Sequence, residues 1–410
     1  MVPLRAFAQT PPPAPPPPAD ATPPPPAVVV TPAPAPAAAV VVAPPAPPPA
    51  PAAAPAGPSP KFVFGGLVDT YYMYNFTPPP GTNSLTFPQP PFPVAVGRAF
   101  DTNANSMTLA LAKLTMNASL DVVSLQLDMG YGSVGNIING ANDGQAVAVS
   151  GSTAVPGAFL MEQAFGEISL PGNLTLDFGK FTTTAGAEVI EANKNWLYSR
   201  SLLFNAIPLL HTGLRANLKI NDMLTVQGSV VNGWNNDPDL NAWKTIGLSA
   251  SITASPMLSI IATTYFGKEA AEVAPATTTP GDLRFLLDLV AALTVNSNFG
   301  LNLNIDYIKA YDDVAGDYQI GGSLMGRYVI SDRLNVAARG EFLASHNDML
   351  DLTSKQGEVT VMLGIDVGKN FELRPEFRAD FAGKLMGADL LEGGTKSDAI
   401  TGTLAALTWF

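Results

Sequence analysis

The chain holds only two histidines, His211 and His346, and no cysteine. That leaves little for general acid–base catalysis and nothing for thiolate nucleophiles, thiolate metal sites or disulfides. His211 has no serine or aspartate motif beside it, and His346, with Asn347 and Asp348, reads as a loop residue. Gly130-Tyr131-Gly132-Ser133-Val134-Gly135 has the glycine spacing of a dinucleotide loop. No helical pattern follows it and no βαβ unit surrounds it, so it reads as a loop at a strand end. Asp237-Pro238-Asp239-Leu240-Asn241 begins like a calcium loop but lacks the sixth-position glycine, and Leu248 stands where the twelfth-position glutamate belongs. Asp312, Asp313 and Asp317 read as solvated loop charge. No catalytic residue, cofactor or metal site is assigned, and the chain is not expected to be an enzyme.

The charged residues that remain sit in a period-two pattern. Phe371, Leu373, Pro375, Phe377, Ala379 and Phe381 take one phase, and Glu372, Arg374, Glu376, Arg378 and Asp380 take the other. A strand with one greasy and one charged face produces this alternation, and a helix does not. The pattern recurs in Val123 to Met129, in His211 to Ile220 with Arg215 on the polar phase, in Ile246 to Thr253, in Leu301 to Tyr307 and in Glu358 to Val367. Where the polar phase is not charged it is rich in Gly, Ser, Thr and Asn, which suits a water-filled lumen.

Composition agrees. Across 410 residues, 47% are apolar and only 14% charged, with net charge −12. A nucleic-acid binder needs a basic face, so that partner is not expected. No run of about 18 apolar residues could cross a bilayer as a helix. The other structure a bilayer permits is a closed β-barrel.

Connection lengths give an independent signal. Tight turns fall at Ser119-Leu120-Asp121, Pro171-Gly172-Asn173, Asn221-Asp222, Ser255-Pro256, Asn296-Ser297-Asn298, Ser331-Asp332-Arg333 and Gly368-Lys369-Asn370. They alternate with long connections at 77–105, 132–159, 182–210, 233–243, 268–282, 311–317, 346–356 and 382–397. Outer-membrane barrels combine brief periplasmic turns with long external loops. The expected fold is all-β, an antiparallel transmembrane β-barrel over 61–410 with sixteen strands, the first at 61–76 and the last at 398–410. Fourteen or eighteen strands fit if 132–159 or 182–210 is divided differently, and Leu160–Leu170 puts Glu162 or Glu167 on either face. An even count returns both barrel ends to the periplasm. Tyr71, Tyr72, Tyr74 and Phe76 are expected in one aromatic girdle, and Phe299, Phe371, Trp409 and Phe410 in the other.

Residues 1–60 are a separate object, holding 24 of the 39 prolines. Such a stretch buries too little surface to fold and reads as a disordered Pro/Ala strut in the periplasm, reaching roughly 150 Å if extended. Ala6-Phe7-Ala8 has the small-x-small form of a signal-peptidase site, so 1–8 reads as a signal remnant.

Several segments, in this order, resemble the OmpL-like β-barrel porins of Gram-negative outer membranes. They are Phe64-Gly65-Gly66-Leu67-Val68-Asp69-Thr70-Tyr71-Tyr72, Asp177-Phe178-Gly179-Lys180-Phe181, Tyr198-Ser199-Arg200-Ser201-Leu202-Leu203-Phe204, Ile207-Pro208 with His211-Thr212-Gly213, and Asn232-Gly233-Trp234 followed by Lys244-Thr245. The resemblance spans 61–410 and implies a diffusion channel in the outer membrane for small polar solutes or ions. A closing phenylalanine, Phe410, resembles the signal read by the outer-membrane assembly machinery. Outer-membrane lipid and lipopolysaccharide are the expected surroundings, and assembly into a homo-oligomer stays open. A non-conducting barrel anchored to the cell wall by the Pro/Ala segment is the alternative.

Within such a channel, loop 182–210 is too long to be a simple lid. It carries Glu188, Glu191, Lys194 and Arg200, the expected constriction. In a ring of sixteen it lies opposite strands bearing Arg327, Arg339, Arg374 and Arg378, which with Arg215 are the expected pore wall. An acidic loop facing arginines would set a transverse field; ion pairing of those arginines with Glu341, Glu372 and Glu376 is the competing reading.

Overall fold

The computed structural model describes residues 59–78, 98–141, 158–239, 241, 243–269, 283–311, 317–347, 352–383 and 397–410. The strut expected over 1–60 lies, up to residue 58, outside them, as do Asp312, Asp313 and Asp348.

Alternation of apolar and polar residues gives each strand one greasy and one polar face, and the sheet closes on itself with the greasy face outward. The first strand, β1 (Lys61–Asn75), pairs with the last, β16 (Asp398–Trp409), from Leu67 opposite Trp409 to Asn75 opposite Thr401. Between them lie seven hairpins. They are β2 (Met107–Leu120) with β3 (Val123–Gly132), β4 (Ala158–Leu170) with β5 (Leu174–Thr182), β6 (Leu210–Lys219) with β7 (Leu224–Val231), and β8 (Thr245–Ser255) with β9 (Leu258–Lys268). The rest are β10 (Leu283–Thr294) with β11 (Phe299–Tyr311), β12 (Tyr318–Ser331) with β13 (Leu334–Asn347), and β14 (Leu352–Asp366) with β15 (Phe371–Ala382). Every strand bonds its neighbours in the chain, so the barrel is closed, antiparallel and sixteen-stranded. All seven tight turns fall where the sequence places them. In one, Gly172 (φ 83°) and Asn173 (φ 60°) supply the left-handed backbone of a tight reversal.

The two faces separate as the alternation requires. In β15, Phe377 and Phe381 are exposed on the outside, and Glu372, Arg374, Glu376, Arg378 and Asp380 are buried within. Exposed Val, Leu, Ile and Phe cover the outer wall, the surface a lipid-facing barrel needs.

Four details depart from expectation. Residues 133–141, read as loop, form a helix, α1 (Ser133–Ala141), whose Val134, Ile137 and Ile138 pack on the inner core. Glycine and asparagine in that stretch hide its helical spacing. It follows β3, which is antiparallel to both β2 and β4, so no βαβ unit exists there. The girdles lose two members: Tyr71 faces inward at 1% exposure, leaving Tyr72, Tyr74 and Phe76 outside, and Trp409 shares the inward phase of Leu407 and packs on the inner core. His346 is strand, because β13 runs on to Asn347, and its Nδ1 lies 2.8 Å from Thr353 Oγ1. Finally, β4 bulges opposite Asp128 and Met129 so that Glu162 is an extra residue. A bulge resets the side-chain phase. Glu162 reaches Lys113 and Gln163 reaches Asp128, so both point inward.

Candidate functional site

The segment 183–209, between β5 and β6, folds into the barrel. It contains a single 3-10 turn (Ala192–Lys194) and a short helix, α2 (Leu202–Ala206), and is otherwise irregular. Irregular backbone away from bulk water must find partners for its N–H and C=O groups. Charged side chains on the facing wall supply them, carboxylates accepting from N–H and guanidiniums donating to C=O.

On β13 to β15 the match is group by group. Glu376 accepts from Tyr198 N at 2.7 Å and Ser199 N at 3.1 Å. Glu341 accepts from Leu202 N at 2.6 Å, the first residue of α2, while Ser201 Oγ caps α2 by accepting from Phe204 N at 2.9 Å. Arg374 donates to the carbonyls of Ala192 (2.7 Å) and Asn195 (3.0 Å), Arg378 to that of Arg200 (2.6 Å) and Arg339 to that of Ser199 (2.9 Å). Arg200 turns back onto the carbonyls of Tyr198 and Ile190.

The charges are also paired with one another. Arg339 meets Glu188 at 2.8 Å and Glu358 at 2.5 Å, Arg378 meets Asp380 at 2.5 Å, and Arg374 meets Glu372 at 2.8 Å. Arg98 continues the chain through Asp101 and Asp380. Arg339, Arg374 and Arg378 are each at most 3% exposed, so the loop lies directly on them.

A second cluster fixes the other side of the loop. Lys113 of β2 points its ammonium at Glu191 (2.7 Å), Glu162 (2.8 Å) and Asp128 (3.2 Å), and Lys194 reaches Glu191 at 2.6 Å. The three carboxylates lie close enough to hold a metal ion, but the lysine ammonium stands among them and supplies the cation. Burial pushes the Glu191 carboxyl up, yet Lys113 and Lys194 outweigh it and hold it well below the usual carboxylate range. Tyr198 OH donates to Asp69 Oδ1 at 3.0 Å, and Ala187 N donates to Asn304 Oδ1 at 3.0 Å. Gly186 needs its positive φ (88°), and a Cβ there would meet Ile207 Cδ1 at 2.5 Å.

The expected site residues therefore divide. Glu188, Arg200, Arg339, Arg374 and Arg378 come together, while Glu191 and Lys194 join the Lys113 cluster. Arg215 is apart, 2.7 Å from Asp177 and stacked 4.2 Å from the Phe181 ring centroid. Arg327 is also apart, bonded to Asn335 at 3.2 Å. Lys194 is the one exposed residue of 183–209, with its side chain 48% accessible. Sequence reasoning missed Lys113, Asp128, Asp69, Glu358 and Tyr198 as site residues. Their signal was a lone charge or tyrosine on the polar phase of a strand or in the loop, visible only once the phase is known.

The lumen is not uniform. Toward the end that carries both barrel termini, inward residues such as Asn117, Gln126, Glu167, Asn217, Arg327 and Asp366 are partly exposed. Toward the other end Tyr71, Phe100, Leu160, Tyr198 and Phe204 form an apolar core between loop and wall.

A closed barrel with a greasy outside, a charged inside and a loop bonded across its interior defines an outer-membrane β-barrel of the porin class. The family "Putative beta-barrel porin-2, OmpL-like" matches residues 61–410, and the chain belongs to it. Among solved structures, the trimer form of OmpT from Vibrio cholerae is similar at TM-score 0.57 and 13% identity, covering 86% of this chain and 100% of that one. The outer membrane channel DcaP of Acinetobacter baumannii gives TM-score 0.55 and 13% identity, covering 87% and 99%. An anion-selective porin from Comamonas acidovorans gives TM-score 0.56 and 10% identity, covering 86% and 100%. No curated protein matches the sequence.

Proposed function

We propose that this outer-membrane porin passes small polar solutes or ions by passive diffusion, narrowed by the segment 183–209. The observation that carries the reading is a lumen lined by charged and polar residues with an irregular segment bonded across it at both sides. Glu188, Glu191, Lys194 and Arg200 form the constriction, and Arg215, Arg327, Arg339, Arg374 and Arg378 shape the field along the wall. Their burial assigns Arg339, Arg374 and Arg378 the further task of holding the loop, and leaves Lys194, Arg215 and Arg327 nearer to passing solute.

The tight turns and both barrel ends face the periplasm in this reading, with the Pro/Ala segment beside them, Phe410 serving assembly and lipopolysaccharide surrounding the far rim. Self-association is supported by the trimer form of the Vibrio cholerae relative. A catalytic role is not proposed, because His211 is buried against Tyr265 and bonded to the Gly233 carbonyl. The apolar core within the lumen favours a second reading, a silent anchoring barrel. Reconstitution in planar bilayers decides: stepwise conductance supports the channel, and a purified, folded barrel that gives no steps supports the anchor.

A further inference from the structure

The outer wall is divided by charge at the rim opposite the barrel termini. On one sector, from β15 through β16 to β4, outward residues at this rim include the apolar or aromatic Tyr74, Phe76, Met107, Tyr131, Phe159 and Phe381, and the charge that faces outward is an acid, Asp398, paired opposite Phe381. No lysine or arginine faces outward there among the described residues. On the sector from β9 to β14, three lysines do. Lys268 ends β9 opposite Leu283, in phase with exposed Phe266. Lys309 pairs across from Tyr318, in phase with exposed Ile305. Lys355 shares its phase with exposed Val359 and Val361.

Two of the three lie over aromatic rings. Lys268 Nζ is 5.2 Å from the centroid of Trp243, itself 55% exposed, and Lys309 Nζ is 5.8 Å from that of Tyr318. A lysine laid along a girdle ring keeps its ammonium at the boundary between hydrocarbon and headgroup. We infer that Lys268, Lys309 and Lys355 form a docking surface for the phosphates of a phosphorylated glycolipid, the lipid A part of lipopolysaccharide. The inference rests on the reading above that places this rim outside the cell. Its chemistry is that of ammonium against phosphate monoester, with acyl chains lying on the apolar wall below.

The test uses the full chain in neutral detergent, titrated with bis-phosphorylated lipid A, fully dephosphorylated lipid A or phosphatidylglycerol and read by native mass spectrometry. Wild-type protein is expected to hold bis-phosphorylated lipid A in preference to both others. The triple variant Lys268→Gln/Lys309→Gln/Lys355→Gln should weaken that binding by about 100-fold, about five-fold per lysine, with single-channel conductance unchanged. Equal binding by wild type and triple variant, or equal binding of all three lipids, overturns the inference. Conductance is measured on the same preparations, so a silent barrel that still binds lipid A in a lysine-dependent way removes the porin reading and leaves this one standing.

Discussion

Replacing Arg374 and Arg378 with alanine separates two jobs that one residue can do in a lumen. As parts of a charged wall they set ion preference; as donors to loop carbonyls they hold 183–209 in place. The double variant removes three charge-assisted bonds to loop backbone, at Ala192, Asn195 and Arg200. Bonds to charged donors are worth about 1.5–3 kcal/mol each, and neighbouring ones do not add in full. It also takes Glu372 from its arginine and leaves Asp380 the more distant Arg98, at 3.8 Å, and an ion pair broken on one side when buried costs about 3–5 kcal/mol. Taking about 3 kcal/mol as the net loss in docking, displaced loop conformations gain about 150-fold in population. The expected record in planar bilayers is larger and noisier conductance together with a zero-current potential shifted toward cations. Arg327→Ala is the internal control, since Arg327 bonds Asn335 on the wall. It should move the potential without adding noise. Wild-type conductance and noise in the double variant, with the folded barrel confirmed by its gel mobility before and after heating, would refute the docking role. An unchanged zero-current potential in both variants would refute the field.

Four further outcomes follow from the same geometry. Lys113→Met leaves Asp128, Glu162 and Glu191 facing one another, so the loop should loosen at neutral pH and current noise should rise. Added calcium, which the three carboxylates can then ligate, should quieten it. The pH dependence has a definite sign: a carboxyl held below its ordinary value contributes docking that is complete above that value and fades only as pH falls through the lowered one. The Glu191 contribution should therefore persist below about pH 4, the ordinary carboxylate range, as read by the noise that Glu191→Gln adds to wild type across an acid titration. Gly186→Ala forces a left-handed backbone on a side chain that also meets Ile207, costing about 1–2 kcal/mol. The loop should become several-fold more accessible to protease without loss of barrel heat resistance. Lys194→Glu reverses the exposed charge of the loop and should shift the zero-current potential toward cations while leaving noise unchanged, since Lys194 bonds Glu191 within the same segment.

The strands were legible because a membrane barrel sits between two solvents and every strand must answer to both. Phe371 to Phe381 shows the rule, and it holds around the ring. Phase was lost where the backbone broke it. At Leu160–Leu170 either glutamate could have faced lipid, and the bulge at Glu162 brings both inward, which no strict alternation anticipates. α1 was hidden because, although Val134, Ile137 and Ile138 keep helical i, i+3, i+4 spacing, the glycines and asparagines around them are poor helix formers and signal a loop. Tyr71 was assigned to a girdle by its neighbours, although its phase, shared with buried Met73, already pointed in.

The loop's destination was legible and its purpose was not. The ring count alone sets 183–209 against the strands that carry Arg339, Arg374 and Arg378. Whether those arginines line a passage or hold a loop depends on a carbonyl coming within about 3 Å, and both roles demand the same residue on the same phase. The burial of an irregular backbone supports the second role. Inside a closed barrel its N–H and C=O groups have no ladder to join, so the wall must meet them with charges of both signs, carboxylates under the N–H groups of Tyr198 and Leu202 and guanidiniums under the carbonyls of Ala192 and Arg200. Alternating Glu and Arg along β15 is what such a loop requires. A wall serving only to attract one sign of ion would have no need of the other.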